Sequence, residues 1–561
     1  DPLNRTTSYN YDKLGNLIAV TDANYQTTSL GYDALGRITK LTDANGQETK
    51  ATYDAEGNIT SYTDAASNTT KYSYNELGQP VTVTDPGGNS QKYDVDSSGN
   101  LVKATDSLGY SSTFTYDKNG NVTSETDPLG FSEKYKYDPN GKVIEITDAL
   151  GGRHQFTYDP IGNLVKEVDG EGNVSTYQYD GNGNLVKETD PAGYTFEYNY
   201  NGNGQLVGDK DPLGNRTSYK YDQAGNLSVV TDALGFSTAY TYDAVGNLMQ
   251  EKDPLGNTTQ YGYDKVGNLA DITDANGNTI KYTYDAQGNI TSITDPLGNT
   301  LKYTYDANDV LTSVYDALGN KTSYEWDFDG NLTGITNPPG NQMSFKYDSE
   351  GNIIAVTDPA GRTTAYTYDA NGNVLTVTDP AGNVTSYKYN GEGDVTELRD
   401  PQGGITQFNY DKNGELTEVI DPLQSKTTFV YNGNGNLTSE TDPLGQTTYY
   451  NYDGTGQLTE ITNAMGNSVK YGYDAVGNIL SMTDSTGAVT RYEYDANGQL
   501  TGETDPLGNT TRYAYDLAGN LTMVVSPDGQ TSTYKYDELN RVMETVLPDG
   551  QVIRYTYDVN G

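Results

Sequence analysis

The chain of 561 residues contains no cysteine, one histidine and one tryptophan. Without cysteine it can form neither a disulfide framework nor a thiolate metal site. Because His154 is the only imidazole, we predict no catalytic triad and no histidine-based metal centre. The sequence also lacks an apolar run of transmembrane length and a basic-then-apolar start resembling a signal peptide.

Basic residues are scarce as well. The chain has 35 Lys and Arg against 77 Asp and Glu, a formal charge of −42, and only 34% hydrophobic residues. Such a charge repels phosphate, so nucleic acid is excluded as a partner. Low hydrophobicity with high net charge usually indicates disorder, but the regular repetition of this sequence predicts an ordered repeat protein.

A Tyr-Asp pair sets the period of the chain. Its tyrosine recurs every 21 residues from Tyr11 to Tyr557, which gives 27 copies, and only Val95 and Trp326 replace it. A second aromatic precedes it by two residues in 25 copies. Internal repeats of this regularity define the architecture. The predicted structural aromatics include Tyr282, Tyr284, Tyr303, Tyr305, Tyr366 and Tyr368.

Each copy carries two turn signals. In the copy that begins at Tyr284, both turns place Asp first and Gly fourth, and the second turn adds Pro. This pattern predicts a type I turn followed by a left-handed residue, which closes antiparallel hairpins. First-turn glycine is replaced only by Asp309 and Asn540, two residue types that tolerate the left-handed region. The predicted turn residues are Asp285, Gly288, Asn289, Asp295, Pro296 and Gly298.

The segments between the turns are rich in Tyr, Thr, Val and Ile and have strand length, with aromatics at alternate positions. We therefore predict an all-β protein: a continuous antiparallel sheet of about 27 tandem 21-residue hairpins. If the two turns of a copy had identical geometry, the strand pairing would repeat after about 20 residues. The observed period of 21 is odd, and it would place the tyrosines of successive copies on opposite faces, because side chains alternate along a strand. The sequence thus predicts a β-bulge in each copy, or two unlike turns, and a repeated bulge coils the sheet into a hollow shell or tube.

Residues 1–561 are predicted to form a single uninterrupted array, apparently a segment of a longer chain cut within a repeat at both ends. Tyr-Asp-x-x-Gly-Asn-Leu with the Thr-Asp-Pro-Leu-Gly-Asn turn resembles the RHS/YD-repeat family along the whole chain. That family includes bacterial Rhs toxins, cocoon subunits of insecticidal toxin complexes and the YD shell of teneurins. The resemblance implies a sheet wound spirally into a hollow shell, often enclosing a C-terminal toxin, and an extracellular or cell-surface bacterial location.

Three functions follow from these patterns. The first is a non-catalytic wall of an extracellular filament, tube or surface scaffold, which the uniform spacing favours and which implies self-association or continuation of the same array. The second is a cocoon enclosing a toxin or other cargo. The third is an adhesive array in which tyrosines bind surface glycans; its aromatics would have to be displayed instead of packed.

No enzyme activity, cofactor or metal site is predicted. Carboxylate pairs such as Asp285 and Asp295 recur in every copy, so they are interpreted as turn caps and not as an acid–base pair. Calcium on the aspartate columns is the one alternative cofactor. The sequence, however, contains neither EF-hand spacing nor the glycine-rich nonapeptide of calcium-binding β-rolls. His154 is interpreted as a surface strand residue.

Overall fold

The computed structural model describes residues 1–558 and 560; Val559 and Gly561, the last residues of the predicted array, lie outside it. The described residues form one 53-stranded antiparallel sheet in which consecutive strands pair. This confirms the predicted all-β class. The strands are β1(Ser8–Tyr11), β2(Leu17–Thr21), β3(Thr27–Tyr32), β4(Ile38–Thr42), β5(Glu48–Tyr53), β6(Ile59–Thr63), β7(Thr69–Tyr74), β8(Pro80–Thr84), β9(Ser90–Val95), β10(Leu101–Thr105), β11(Ser111–Tyr116), β12(Val122–Thr126), β13(Ser132–Tyr137), β14(Val143–Thr147), β15(Arg153–Tyr158), β16(Leu164–Val168), β17(Val174–Tyr179), β18(Leu185–Thr189), β19(Thr195–Tyr200), β20(Leu206–Lys210), β21(Arg216–Tyr221), β22(Leu227–Thr231), β23(Ser237–Tyr242), β24(Leu248–Lys252), β25(Thr258–Tyr263), β26(Leu269–Thr273), β27(Thr279–Tyr284), β28(Ile290–Thr294), β29(Thr300–Tyr305), β30(Leu311–Tyr315), β31(Lys321–Trp326), β32(Leu332–Thr336), β33(Gln342–Tyr347), β34(Ile353–Thr357), β35(Thr363–Tyr368), β36(Val374–Thr378), β37(Val384–Tyr389), β38(Val395–Arg399), β39(Ile405–Tyr410), β40(Leu416–Ile420), β41(Lys426–Tyr431), β42(Leu437–Thr441), β43(Thr447–Tyr452), β44(Leu458–Thr462), β45(Ser468–Tyr473), β46(Ile479–Thr483), β47(Val489–Tyr494), β48(Leu500–Thr504), β49(Thr510–Tyr515), β50(Leu521–Val525), β51(Thr531–Tyr536), β52(Val542–Val546) and β53(Val552–Arg554).

The two turns of a copy share one geometry. In the first turn the Gly288 N–H donates to the Asp285 carbonyl at 3.3 Å, and the Asp285 N–H donates to the Asn289 carbonyl at 2.9 Å. Gly288 and Gly298 have φ of +92° and +88°, a region in which a Cβ is strained. Asp309 and Asn540 adopt the same left-handed conformation, with φ of 62° and 60°.

A bulge follows each first turn, as the odd period predicts. Tyr284 pairs with Ile290 but Thr283 pairs with Ser292, which leaves Thr291 without a partner in the ladder. The same shift recurs in the equivalent pairings along the sheet. Following the pairs from Tyr282 through Ile293 leads to Leu301, two residues short of the next aromatic, Tyr303. Because this offset is an even number of residues, all aromatics stay on one face of the sheet. The offset also makes the strands run at a slant across the ribbon.

The sheet has an aromatic face and a polar face. Tyr282, Tyr284, Ile290 and Ile293 share the aromatic face because they pair with one another across the strands. On the polar face, Thr hydroxyls pair across the second turn, as between Thr294 and Thr300 at 2.9 Å. No hydrophobic side chain among the described residues is fully buried, so the fold depends on cross-strand contacts along one layer and not on a closed core.

The ribbon coils back onto itself at a constant spacing. The Nδ2 atom of Asn308 donates to the Asp64 Oδ2 at 2.8 Å, across 244 residues. Contacts of the same separation recur along the chain, at Asn371–Asp127, Asn413–Asp169, Asn434–Asp190, Asn497–Asp253 and Asn560–Asp316. One coil therefore takes between eleven and twelve copies, and at about 10 Å per copy the tube is about 35–45 Å across.

Candidate functional surfaces of the coiled sheet

The tube offers three kinds of surface: its two faces, the seam between successive coils, and two open rims. We define the seam as the contact of first turns in the later coil with second turns in the earlier coil. The open first-turn rim comprises the first turns from Asp12 to Gly225. The open second-turn rim comprises the second turns from Asn337 to Gly550. The partner of each of these turns, offset by 244 residues, would have a number outside 1–561, so no described coil covers either open rim.

The tyrosines of the Tyr-Asp pairs join neighbouring copies. The Tyr284, Tyr305 and Tyr368 hydroxyls donate to the carbonyls of Leu269, Ile290 and Ile353 at 2.7, 2.8 and 2.6 Å. In each case the acceptor lies 15 residues earlier, at the start of the preceding strand. Burial raises the pKa of all three phenols, so the hydroxyls remain donors at neutral pH.

The two exceptions in this column show what it requires. The indole N–H of Trp326 donates to the Leu311 carbonyl at 2.7 Å, so it replaces the phenol as a donor. Val95 has no side-chain donor, and the corresponding acceptor would be the carbonyl of Pro80. The sequence contained this signal: phenylalanine replaces tyrosine two residues earlier, as at Phe114, but never in the Tyr-Asp column.

The second predicted aromatics, Tyr282, Tyr303 and Tyr366, are half-buried on the same face. Their partners across the strands are Ile293, Val314 and Val377. Some tyrosines of this column also donate to a carboxylate of the preceding strand: Tyr177 and Tyr261 donate to Glu167 and Glu251 at 3.5 and 3.4 Å. These rings pack between strands, an arrangement unlike a row of displayed sugar-binding aromatics.

The turn aspartates cap their own turns. Asp285 Oδ1 accepts the N–H groups of Gln287 and Asn289, both at 2.9 Å, and its Oδ2 accepts the Asn289 amide at 3.0 Å. Asp295 accepts the backbone and side-chain N–H of Asn299 in the same way, each at 2.8 Å. Pro296 and Gly298 complete that second turn. At exposed turns such as that of Asp117, the side-chain and backbone bonds from Asn121 lower the pKa of the carboxyl.

The acid–base alternatives are separated in space. Asp285 and Asp295 lie at opposite ends of strand β28, on opposite edges of the ribbon. The His154 Nε2 lies 3.4 Å from the Asp148 Oδ2, on the aromatic face opposite Ile146. No group of three or more His, Cys, Asp or Glu side chains in the described part of the chain is placed to hold a metal ion. Nor do the described residues include a helix long and apolar enough to cross a bilayer.

At the seam, the third residue of the later first turn reaches the earlier second turn. Asn434 donates to the Asp190 Oδ2 at 2.7 Å, and its Oδ1 accepts the Ala192 N–H at 3.2 Å. Glu392 accepts the Ala149 N–H in the same way, at 2.9 Å. Sequence reasoning missed these side chains because nothing local distinguishes a seam turn from an open one.

The seam also brings carboxylates together. Desolvation, and then the charge of Asp85, raise the pKa of Asp329. Desolvation, Asp411 and the opposing Asp169 and Glu171 raise that of Glu415. A groove lies on this seam as well, between Asn278 and Leu297 of the earlier coil and Tyr536 and Arg541 of the later one. It is a gap between coils and contains no catalytic set.

The geometry defines a class of protein: a non-globular tandem-hairpin shell, wound from one sheet. The RHS Repeat family profile matches most of the chain, at residues 1–27, 11–48, 53–90, 221–258, 242–279, 263–300, 284–309, 305–342, 347–383, 368–405, 410–448, 452–489, 473–510, 494–531, 515–551 and 536–561. The Teneurin YD-shell profile matches residues 102–239. The chain belongs to the RHS repeat family, which confirms the resemblance seen in its sequence.

Solved structures show the same fold at low identity. The chain is similar to TcdB2-TccC3-TEV, and to TcdB2-TccC3 without its hypervariable C-terminal region, with TM-scores of 0.57 and 16% identity over 97% of this chain. It is similar to the Photorhabdus luminescens Tc holotoxin pore, with a TM-score of 0.52 and 15% identity over 98% of this chain. The chain spans 35% of the length of each of these structures. No curated protein matches it.

Proposed function

We propose that this chain is a non-catalytic structural protein whose coiled sheet forms the wall of an open extracellular tube or surface scaffold. The single observation that carries this proposal is the constant seam. Contacts at Asp64, Asp127, Asp190, Asp253 and Asp316 all reach a partner 244 residues later. An unchanged number of residues per coil means an unchanged radius, which suits a cylinder more than a tapering, closed shell.

The hydrogen bonds of the chain support a structural role. Its polar groups are used in turn caps, strand ladders and the bonds from tyrosine to carbonyl, and its carboxylates are spread along the two edges of the ribbon. We infer that residues 1–561 act as one uninterrupted array, without a cofactor. We also place it outside the cell or on its surface, as the high negative charge and the bacterial relatives support.

A cocoon around a toxin or other cargo is the second candidate. It is supported by the similarity to TcdB2-TccC3 and to a Tc holotoxin pore over nearly the whole chain. The likeness is one of fold, at 16% and 15% identity. The glycan-binding array has less support, because its aromatics pack between strands.

An accessibility experiment separates the tube from the cocoon. The chain has no cysteine, so single cysteines can be placed at Leu301 and Lys302, which are exposed neighbours on opposite faces of β29. For Leu301→Cys and Lys302→Cys we expect a bulky maleimide-polymer to label both at similar rates, since both faces of an open tube meet solvent.

A closed cocoon would protect one of the two positions strongly and leave the other reactive. Each variant labelled in denaturant gives the matched control for intrinsic reactivity. Electron micrographs of the same samples provide a second readout: open rings and short cylinders about 35–45 Å across support the tube, whereas closed ovoids would overturn it.

A further inference from the structure

In four seam contacts, the asparagine that reaches the earlier coil is followed by glycine in the sequence. Its Nδ2 donates to an aspartate Oδ2 at 2.5, 2.8, 2.7 and 2.6 Å in the pairs Asn371–Asp127, Asn413–Asp169, Asn434–Asp190 and Asn497–Asp253. The residues that follow are Gly372, Gly414, Gly435 and Gly498. An asparagine before glycine is the pair most open to attack by its own backbone, because glycine has no Cβ to hinder the approach.

This attack, deamidation, needs only the chain and water. The glycine N attacks the asparagine Cγ, the bond from Cγ to Nδ2 breaks, and ammonia leaves with the proton of the glycine N–H. The product is a cyclic imide. Water then adds to either of its carbonyl carbons and opens the ring, which leaves aspartate or isoaspartate. Each conversion thus replaces a neutral amide, which donates hydrogen bonds, by a carboxylate, which only accepts them.

The closed seam engages both reacting groups. At Asn434, the Nδ2 is bound to Asp190 and the Oδ1 accepts the Ala192 N–H at 3.2 Å. The Gly435 N–H donates to the Asn432 carbonyl at 3.0 Å, so the attacking nitrogen is held within the turn. The side chain must leave Asp190 and rotate toward Gly435 before its Cγ can be reached. Attack is therefore confined to a coil whose seam has opened.

The seam is also the part of the wall that opens most easily. The asparagines at the four contacts are exposed, and each turn there is joined to the earlier coil by one or two hydrogen bonds beside solvent. Neighbouring strands, in contrast, are held together by continuous ladders. Segments with few protected contacts open locally before the rest of a structure does. We therefore expect the turns of the seam to separate while the sheet stays intact.

One turn of the seam already has the residue that deamidation would produce. Asp329 precedes Gly330 and lies 244 residues after Asp85, in the place that Asn434 has relative to Asp190. Within the described part of the chain, the Asp329 side chain makes no hydrogen bond across the seam, since a carboxylate has no proton to donate. Desolvation, and then the charge of Asp85, raise its pKa. The aspartate at this position is thus repelled by the earlier coil instead of bound to it.

We propose that Asn371, Asn413, Asn434 and Asn497 are self-modification sites, at which opening of the seam leads to aspartate or isoaspartate and prevents the contact from forming again. Aspartate faces the aspartate of the earlier coil, and isoaspartate adds an atom to the backbone of the turn, so both products oppose closure. The wall then loosens in one direction with time. The inference goes beyond the proposed function, because the seam chemistry is the same in an open tube and in a closed shell.

The first test follows the conversion by peptide mapping with mass spectrometry. The full chain is kept at mildly alkaline pH in native buffer and, in parallel, in a urea concentration that unfolds it. All four asparagines should convert in urea. In native buffer they should convert more slowly by about tenfold or more, because only the opened fraction reacts. Equal rates in the two buffers would overturn the inference, since the seam would then protect nothing.

The second test introduces one product directly, as Asn434→Asp. Hydrogen exchange should become faster at the Ala192 N–H, which bonds to Asn434 in the closed seam. It should stay nearly unchanged at the Ala149 N–H, which donates to Glu392 in a separate seam turn at 2.9 Å. Unchanged exchange at Ala192 would show that the contact tolerates the product, and the inference would be wrong.

The matched control keeps the amides but blocks the reaction. Glutamine occupies the same seam position naturally at Gln287, and attack on its side chain requires a larger ring and is far slower. The control carries Asn371→Gln, Asn413→Gln, Asn434→Gln and Asn497→Gln. After the same storage in native buffer, wild type should lose melting temperature relative to its fresh sample, whereas the control should not. An equal loss in both proteins would place the ageing elsewhere and reject these four sites.

Discussion

Gly202 and Gly454 occupy the same place in the same turn, one on the open first-turn rim and one at the seam. A Cβ added to Gly202 would meet nothing within 4 Å, whereas one added to Gly454 would lie 2.9 Å from the Tyr194 ring and 3.0 Å from Pro212. Neither residue has a positive φ. The two turns therefore have the same local structure, and they differ only in that the earlier coil lies against Gly454.

The largest expected effect comes from filling that gap. Gly454→Ala should destabilise the coil by about 1–3 kcal/mol, because the added methyl overpacks the seam. Gly202→Ala should be neutral or slightly stabilising, since alanine restricts the unfolded chain. Thermal unfolding and electron microscopy of both variants measure the difference. Equal effects would mean that the coils do not touch at this turn.

The bond from tyrosine to carbonyl should be worth the same on covered and open coils. Tyr368→Phe removes the donor to the Ile353 carbonyl and should cost about 0.5–1.5 kcal/mol. Val95→Tyr should stabilise, because it supplies a donor for Pro80. Denaturant titration checks both, with Tyr366→Phe, in the neighbouring column, as the control. A loss as large in the control would refute the assigned role.

Removing a seam hydrogen bond should have a smaller effect. Asn434→Ala deletes the bonds to Asp190 and Ala192 and should cost about 0.5–1 kcal/mol, in the range of exposed hydrogen bonds. Asn182→Ala, at the matching place on the open rim, should change the melting temperature little. The comparison fails if the open-rim variant is the more destabilised of the two.

The smallest expected effect is a dependence of the melting temperature on pH. The raised pKa of Asp329 means that its protonation favours the coil, so this contribution is present below the unfolded pKa and lost as pH rises through the folded pKa. Turn caps such as Asp117 have lowered pKa values, and their contribution is lost as pH falls through the folded pKa. Asp329→Asn should therefore raise the melting temperature slightly near pH 7 and not below about pH 3. Asp117→Asn should show no such gain at neutral pH.

Much of the fold could be predicted from the sequence. The 21-residue period, the turn residues around Gly288 and Gly298, and the alternation of Tyr282 and Tyr284 act over a few residues. They therefore predicted hairpins, a continuous antiparallel sheet and, through the odd period, a bulge. The bond made by the Tyr368 hydroxyl could also have been found, because phenylalanine never occupies that column.

The seam could not be predicted, and the physical reason is distance along the chain. The number of copies per coil depends on the small bends and twists that each bulge and each strand offset add along the sheet. No single residue encodes it. The sequence by itself therefore determined the ribbon, its turns and its two faces. Only the tertiary structure decided that Asn434 meets Asp190, a residue 244 positions earlier in the chain.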